Sequence, residues 1–537
     1  MLRKKDMLSE KIISTLKNAE IEIPEGHEIE FIKEENFGDY ASNVLFLLSK
    51  KLKKSPLEIG KEVLERIKTD TDYEKIEIGG NGFLNFTFAF DFLRKELKKV
   101  FSPDYLSFDI GKKKKINLEF ISANPTGPLS VVQARAGAYG NALANLLRFV
   151  NYEVFTEYYI NDCGTQVDLL EKSLIYRINE LKGIKSEFPQ GGYPGEYLIT
   201  IAQKILANNI PKEKWREYLL NEIISEQKEV LRKFGINFDS FVYESSISQY
   251  QEKILEILRE KNLVYEKDGA LFFKSSLFND SEDRVLITQN KRATYFLNDL
   301  AYHYYKIKRG FEIIVNIWGP DHHGYIPRMT AGIKSLGFDT NNFLVIIAQQ
   351  VSLEREGEKV KMSKRGGEFI TLEEVLEEVG SDPLKFFLLL RKPSQHLTFD
   401  LELIKKATKE NPYFYVQYAH ARICSIERHG KEKGYDFDQL LTNVNLEYLT
   451  TKEERSLMLT ILKFKDIIIQ AVKEFAPHIL VYYLLELAEK FHYFYEKERV
   501  ITDDLELTKA RVYLAFCCRK IISKALEILG IKPLEKM

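Results

Sequence analysis

A single stretch, Asn117 to Arg148, limits the folds open to this chain more than any other. It reads NLEFISANPTGPLSVVQARAGAYGNALANLLR. Ile116 to Ile121 alternates as a short strand does. Ser122 to Pro128 is a turn-rich loop with two prolines and one glycine. From about Ser130 the spacing becomes helical, with Val131, Ala134, Ala138, Leu143, Leu146 and Leu147 along one side. Strand, tight loop and helix make the opening half of a βαβ unit, and in such folds ligands bind where strands end and helices begin. The loop therefore lies where a phosphate can meet a helix N-terminus and its partial positive charge. Locally, an ordinary βα connection in a core unit would read the same way.

The remainder of the chain gives that unit its setting. Its 537 residues allow roughly three or four domains of ordinary size. A formal net charge of −1 excludes a uniformly basic nucleic-acid coat but leaves room for local basic faces. Residues 1–107 read as a small α+β domain: helix at Leu8 to Asn18, a strand-like GHEIEFIK, helices over Tyr40–Leu52 and Pro56–Lys68, and a strand pair turning on Gly79, Gly80 and Gly82. Residues 108–400 alternate strand and helix as a Rossmann-type α/β domain should, with a mostly helical, Lys/Glu-rich insertion at about 162–290. FEIIVNIWGPDHHG at Phe311–Gly324 and NFLVIIAQQV at Asn342–Val351 read as further strands. Residues 401–537 carry helical spacing throughout, an all-α bundle. The N-terminal amphipathic helix lacks the apolar core of a signal peptide, and no apolar run reaches transmembrane length, so a cytoplasmic protein away from the membrane is expected. Cys163, Cys424, Cys517 and Cys518 have no metal-type spacing and are expected to be reduced, buried thiols.

Three local patterns bear chemistry. Lys361-Met362-Ser363-Lys364-Arg365, followed by two glycines, places two lysines three apart in a loop suited to polyphosphate. If the segment from Tyr295 is helical, Tyr295 and Asp299 share a face, an aromatic and a carboxylate suited to a planar cation such as guanidinium. Each pattern alone is common: lysine-rich loops abound, and helix-surface carboxylates more so. Asp321-His322-His323 follows a strand, but nothing completes a metal-ligand set, so a polar lining is the better reading and no tightly bound metal is expected. No Ser-His-Asp or Cys-His arrangement is evident; positioning and charge stabilisation, as in phosphoryl or nucleotidyl transfer, fit better.

Taken in order, these segments resemble the arginyl-tRNA synthetases, class I enzymes, over nearly the full chain. EFISANPTGPLSVVQAR at Glu119–Arg135 is similar to that family's HIGH region, and KMSKR at Lys361–Arg365 to its KMSKS loop. TYFLNDLAYH, WGPDHHGYIPRM, NPYFYVQYAHAR and the closing LGIKPLEKM resemble the family as well, and GDYASNVLFLLSKKL fits its additional tRNA-binding domain. The resemblance implies two steps: arginine carboxylate attacks the α-phosphorus of ATP to give arginyl-adenylate and pyrophosphate, then the 3′-terminal ribose hydroxyl of tRNA(Arg) attacks the aminoacyl carbonyl. It implies tRNA present before activation, Mg2+ arriving with ATP, and a monomer.

By position, the resemblance assigns Glu119, Asn124, Tyr295 and Asp299 to arginine, with Asp321 and His322 beside them. Pro125, Gly127, Ser130, Gln133, Lys361, Met362, Ser363 and Lys364 fall to ATP, with Lys361, Lys364, Ser130 and Gln133 as the catalytic set. Tyr413, Tyr418 and Arg422 fall to the anticodon stem. One departure is plain. Where the family pattern has two histidines around an apolar residue and a glycine, this chain has Ser130, Val131, Val132 and Gln133. Serine and glutamine can donate hydrogen bonds but carry no positive charge.

Overall fold

The alternation at residues 115–119 becomes the middle strand of a five-stranded parallel sheet. In the computed structural model, which describes residues 7–32, 35–67, 70–80, 82–355, 358–359, 362–363 and 368–537, the strand order is Phe343–Ile347, Ile313–Trp318, Lys115–Glu119, Glu153–Ile160 and Ser240–Tyr243. Every neighbouring pair is parallel. From Lys115–Glu119 the chain first builds outward on one side and later returns to build on the other. The strand order therefore reverses between Lys115–Glu119 and Ile313–Trp318, the kind of point at which open α/β sheets bind ligands.

This sheet belongs to one of two compact units, formed by Ile110–Tyr413 and Ile528–Ile531. The stretch 162–290 supplies the helices Thr165–Leu181, Tyr197–Ala207, Trp215–Lys233 and Gln251–Glu260. It also supplies the edge strand Ser240–Tyr243 and a three-stranded antiparallel sheet, Val264–Lys267, Ala270–Phe273 and Arg284–Ile287. Part of that stretch is thus integral to the main sheet. Four residues are too short an alternation to stand out against the helices around them.

The other unit takes Met1–Asp109, Phe414–Glu527 and Lys532–Met537. Its antiparallel sheet runs Ile29–Phe31, Tyr40–Ser42, Phe83–Phe88, Tyr73–Gly79. Tyr40–Ser42 is therefore a strand, where the sequence reads as the start of a helix; the helix begins at Val44. Asp39 fixes the extended backbone, its N–H donating to Phe86 O and its Oδ2 accepting from Phe88 N–H, both at 2.8 Å. The helices Lys452–Leu462, Phe464–Lys473, His478–Lys497 and Leu505–Ile528 form the bundle. Within this unit Arg455 grips Asp39 through two nitrogens, at 3.1 and 2.8 Å, and the Tyr40 hydroxyl donates to Asp466 at 3.1 Å. Cys424, Cys517 and Cys518 are buried, but Cys163 is exposed, against expectation: it lies three residues beyond the end of a sheet strand, in the turn that leads to the next helix. Among the described residues no helix is long and apolar enough to cross a membrane.

Candidate active site

The loop after the central strand is built to hold its shape. Ile121 and Ser122 adopt φ of +71° and +40°, a left-handed backbone that is costly for a β-branched residue. Several bonds hold it. The Ser122 hydroxyl donates to Glu119 Oε1 at 2.8 Å and accepts the Tyr159 N–H at 3.1 Å. The Tyr197 hydroxyl donates to Thr126 O at 2.7 Å, and Gln227 Nε2 donates to Gly127 O at 2.8 Å. Gly127 has φ +145°, and a Cβ there would press on the Tyr197 ring at 3.2 Å. Pro125 and Gly127 are buried in this turn. Asn124 is engaged at both ends, its Oδ1 accepting from Asn161 at 2.6 Å and its Nδ2 donating to Gln166 at 2.9 Å.

Ser130 and Gln133, at the histidine positions of the family pattern, satisfy one another. Gln133 Oε1 accepts both the Ser130 N–H, at 3.0 Å, and the Ser130 hydroxyl, at 2.5 Å. The pair caps the helix Val131–Phe149 at its first turn. Because the Gln133 oxygen faces inward, its Nε2 group is the end left to donate elsewhere. Ser130 also bridges Thr371, and Leu372 N–H donates to Leu129 O at 2.7 Å, so the segment that follows the KMSKR motif is tied to this turn. Met362–Ser363 pairs antiparallel with Glu368–Phe369. Lys361 and Lys364 lie outside the described residues.

The acidic half of the site lies at the same strand ends. Helix Tyr295–Lys308 is capped by Thr294, whose hydroxyl accepts the Leu297 N–H at 3.4 Å. From it Asp299, Tyr302, His303 and Lys306 follow at helical spacing. Lys306 is fully buried and donates to Glu119 Oε2 at 2.6 Å and to Asn316 Oδ1 at 2.8 Å. Asn316 Nδ2 lies 3.0 Å from His303 Nε2, and His303 Nδ1 lies 2.8 Å from the Asp299 carbonyl. A carbonyl only accepts, so Nδ1 carries the proton and Nε2 accepts from Asn316. Burial and the Lys306 charge push the His303 pKa well below its usual value, which keeps the ring neutral. A directed hydrogen-bond chain thus links the backbone of Asp299 to the carboxylate of Glu119.

Asp299 is partly buried, and desolvation pushes its pKa up to about 7; Glu119 and Glu244 add to the rise, while a hydrogen bond from Tyr325 and the Lys306 charge oppose it. Glu244 is buried, accepts from Asn298 Nδ2 at 2.7 Å and is held above the ordinary range mainly by burial. Tyr295 is 68% exposed, and a Cβ on Gly164 would stand 3.9 Å from its hydroxyl. His322, also exposed, has its ring 6.2 Å from that of Tyr325, and Asp321 is exposed in the same turn.

Asp299 thus lies within the fields of Glu119 and Glu244; Tyr295 stands one helical turn before it but is exposed, Asn124 is on the loop after the Glu119 strand, and His322 is next to Tyr325. The structure adds Lys306, Glu244, Tyr159 and Tyr325, which the sequence reading passes over. A stripe of Asp299, Tyr302, His303 and Lys306 on one helix face was the available signal, since four polar or amphipathic residues at that spacing either meet solvent or build a buried network. In the C-terminal helices, Tyr418 and Arg422 are half-buried, with Arg422 donating to the Tyr418 hydroxyl at 2.6 Å and lying over the Tyr495 ring at 4.6 Å. Tyr413, by contrast, is a packing residue, buried with its ring 5.9 Å from Phe386, and does not offer the surface expected for the anticodon stem.

Three family models match: an arginyl tRNA synthetase N terminal domain at residues 6–88, a class I (R) tRNA synthetase catalytic domain at 197–386, and a DALR anticodon binding domain at 416–537. An arginine–tRNA ligase of Thermotoga maritima is 40% identical, covering 98% of each chain. One of Aquifex aeolicus is 38% identical over 99% of this chain and 100% of its own. The arginyl-tRNA synthetase structure of Thermus thermophilus covers both chains fully with a TM-score of 0.81 at 23% identity, a likeness of fold.

Proposed function

Because the chain belongs to the arginyl-tRNA synthetase family, we infer that the pocket at the reversal of its parallel sheet is where arginine is selected and activated. The overall reaction is the charging of tRNA with arginine at the expense of ATP. The observation that carries the site assignment is Asp299. It is a carboxylate set one helical turn from Tyr295 and beside Glu119 and Glu244, in a pocket whose one buried cation among the described residues, Lys306, is already committed to Glu119.

In this reading Asp299 accepts two parallel N–H bonds from the guanidinium, which lysine with its single point charge could not supply. Tyr295 covers the planar cation at the pocket mouth. Glu119 and Asn124 face the α-amino and carboxylate end, with Asp321 and His322 as outer neighbours. Glu119 acts there with its carboxylate orientation set by Lys306 and Ser122. ATP lies across Pro125, Gly127, Ser130 and Gln133, with Gln133 Nε2 and backbone N–H groups of the helix N-terminus as donors. Lys361 and Lys364, with Met362 and Ser363 between them, hold the ATP phosphates, and Lys364 bears most of the developing charge. Magnesium comes as MgATP, held through phosphate oxygens and water; among the described residues no group of three or more ligating side chains builds a separate cage.

Residues 1–107 serve as the additional tRNA-binding domain, 108–400 as the catalytic domain and 401–537 as the anticodon-binding bundle, with Tyr418 and Arg422 on the tRNA(Arg) surface. The enzyme acts as a cytoplasmic monomer. The test is ATP–pyrophosphate exchange with arginine in the presence and absence of tRNA. Exchange that requires both arginine and tRNA is expected. Folded protein that gives none, yet binds tRNA, would instead be a paralogue without adenylate chemistry.

A further inference from the structure

Tyr159 lies close enough to Glu244, Asp299 and Glu119 to feel their charges, and it is held rigidly. Its N–H donates to the Ser122 hydroxyl at 3.1 Å, and its ring stacks on Tyr302 with centroids 4.2 Å apart and planes 21° apart. The Tyr302 hydroxyl is itself tied to Glu157 at 2.7 Å, so the stack has little freedom to slide. Tyr159 is only 7% exposed, yet its hydroxyl has no hydrogen-bond partner among the described residues. A buried hydroxyl left unpaired is unfavourable, and native structures keep few of them without a reason. After burial itself, the charges acting on this phenol are those of the Glu244, Asp299 and Glu119 carboxylates, and all of them hold it protonated.

The surrounding carboxylates are engaged elsewhere: Asp299 with Tyr325, Glu244 with Asn298, and Glu119 with Lys306 and Ser122. The phenol oxygen therefore needs a donor, in a pocket whose potential favours a cation. We propose that the Tyr159 hydroxyl accepts a hydrogen bond from the guanidinium of bound arginine and is a specificity-determining contact of this pocket. A guanidinium offers five N–H donors in one plane, enough for Asp299 and for an oxygen beside it. A lysine ammonium held by Asp299 leaves the Tyr159 oxygen unpaired, and a site built to be satisfied by the substrate discriminates strongly against an analogue that cannot do so.

The proposal rests on the arginine-pocket reading, and Tyr159→Phe tests it by removing one oxygen. In tRNA charging, arginine kcat/KM should fall by about tenfold or more, mainly through KM. The ATP KM and the inhibition constant of lysine should stay within about twofold of wild type. In thermal scans without arginine the variant should melt at or above the wild-type temperature, because an unpaired buried hydroxyl is gone, and the upward shift on adding arginine should shrink. Unchanged arginine KM overturns the proposal, whatever the melting temperature; so does a parallel rise of the ATP KM, which marks general damage. Asp299→Asn in the same assays separates the two levels. If it raises arginine KM while Tyr159→Phe does not, only the Tyr159 contact fails. If it matches wild type, the pocket assignment fails and this contact with it.

Discussion

The Tyr325 hydroxyl donates to Asp299 Oδ2 at 2.5 Å, joining the turn after one sheet strand to the helix that carries the candidate guanidinium ligand. The bond favours the carboxylate form of a group that desolvation otherwise pushes up to about 7. A proton then competes with the substrate cation below about pH 7. Arginine KM should fall as pH rises from 6 to 8 at saturating ATP and tRNA. Tyr325→Phe removes a donor to the charged form, so the midpoint of that profile should move to higher pH. A flat arginine KM across this range would show that Asp299 does not titrate against the substrate.

The same shift has a consequence for stability. The folded-state pKa of Asp299 lies above its ordinary value of 3.8, so the folded chain holds the proton more tightly than the unfolded one. The stabilisation this gives is complete below about pH 4 and is lost as pH rises through about 7. Asp299→Asn should therefore gain in melting temperature relative to wild type as pH is raised from 4 to 8. Scans at the two ends of that range check the sign.

Asp299→Ala should raise arginine KM on the order of a hundredfold, the scale of losing charge-assisted hydrogen bonds worth about 3 kcal/mol. Affinity for tRNA, measured by filter binding at fixed salt, should not move. An unchanged arginine KM would remove Asp299 from the guanidinium site.

Lys306→Met leaves Glu119 buried without its cation and should cost about 3–5 kcal/mol of stability. Adding Glu119→Gln should recover much of that loss, since a neutral pair no longer has an isolated charge to bury. Denaturant midpoints of the two single variants and the double variant give the coupling directly; simple additivity would mean that the 2.6 Å contact contributes no pairing energy.

Gln133→Ala should raise the ATP KM by roughly fivefold to tenfold, the scale of one hydrogen bond to a charged group, with arginine KM unchanged. Lys364→Ala should lower pyrophosphate exchange by about a hundredfold or more while arginine still binds. An exchange rate that survives Lys364→Ala would place the phosphate clamp elsewhere.

Much of this arrangement is legible in the residues themselves. Period-two alternation marks Lys115–Glu119, a short apolar run marks Ile313–Trp318, and the change to helical spacing after Ser130 marks the helix that follows. Asp299 and Tyr295 are visible as a pair because four residues on a helix face bring them together. Lys306 is not visible, because a lysine in a lysine-rich chain reads as a solvated side chain until Glu119, 187 residues away in sequence, is known to lie against it. Tyr159 is hidden for a similar reason: in YEVFTEYYIN its hydroxyl has no marked environment until Glu244 and Asp299 converge on it. Tyr40 reads as helical because nothing local shows that Phe86 will pair with it. What escapes a linear reading is the long-range pairing that turns a common residue type into an uncommon environment.

The grip of Arg455 on Asp39 spans 416 residues of sequence. During synthesis the parallel sheet has all its strands once Ile347 has emerged, whereas Asp39, made among the first, waits for more than four hundred further residues before its partner exists. The antiparallel sheet that holds Asp39 therefore gains this cover only after every strand of the parallel sheet exists. A ribosome that stalls in between leaves Tyr40 and Asp39 without the bundle that covers them, so an interrupted chain differs from a finished one at its oldest end as well as at its newest.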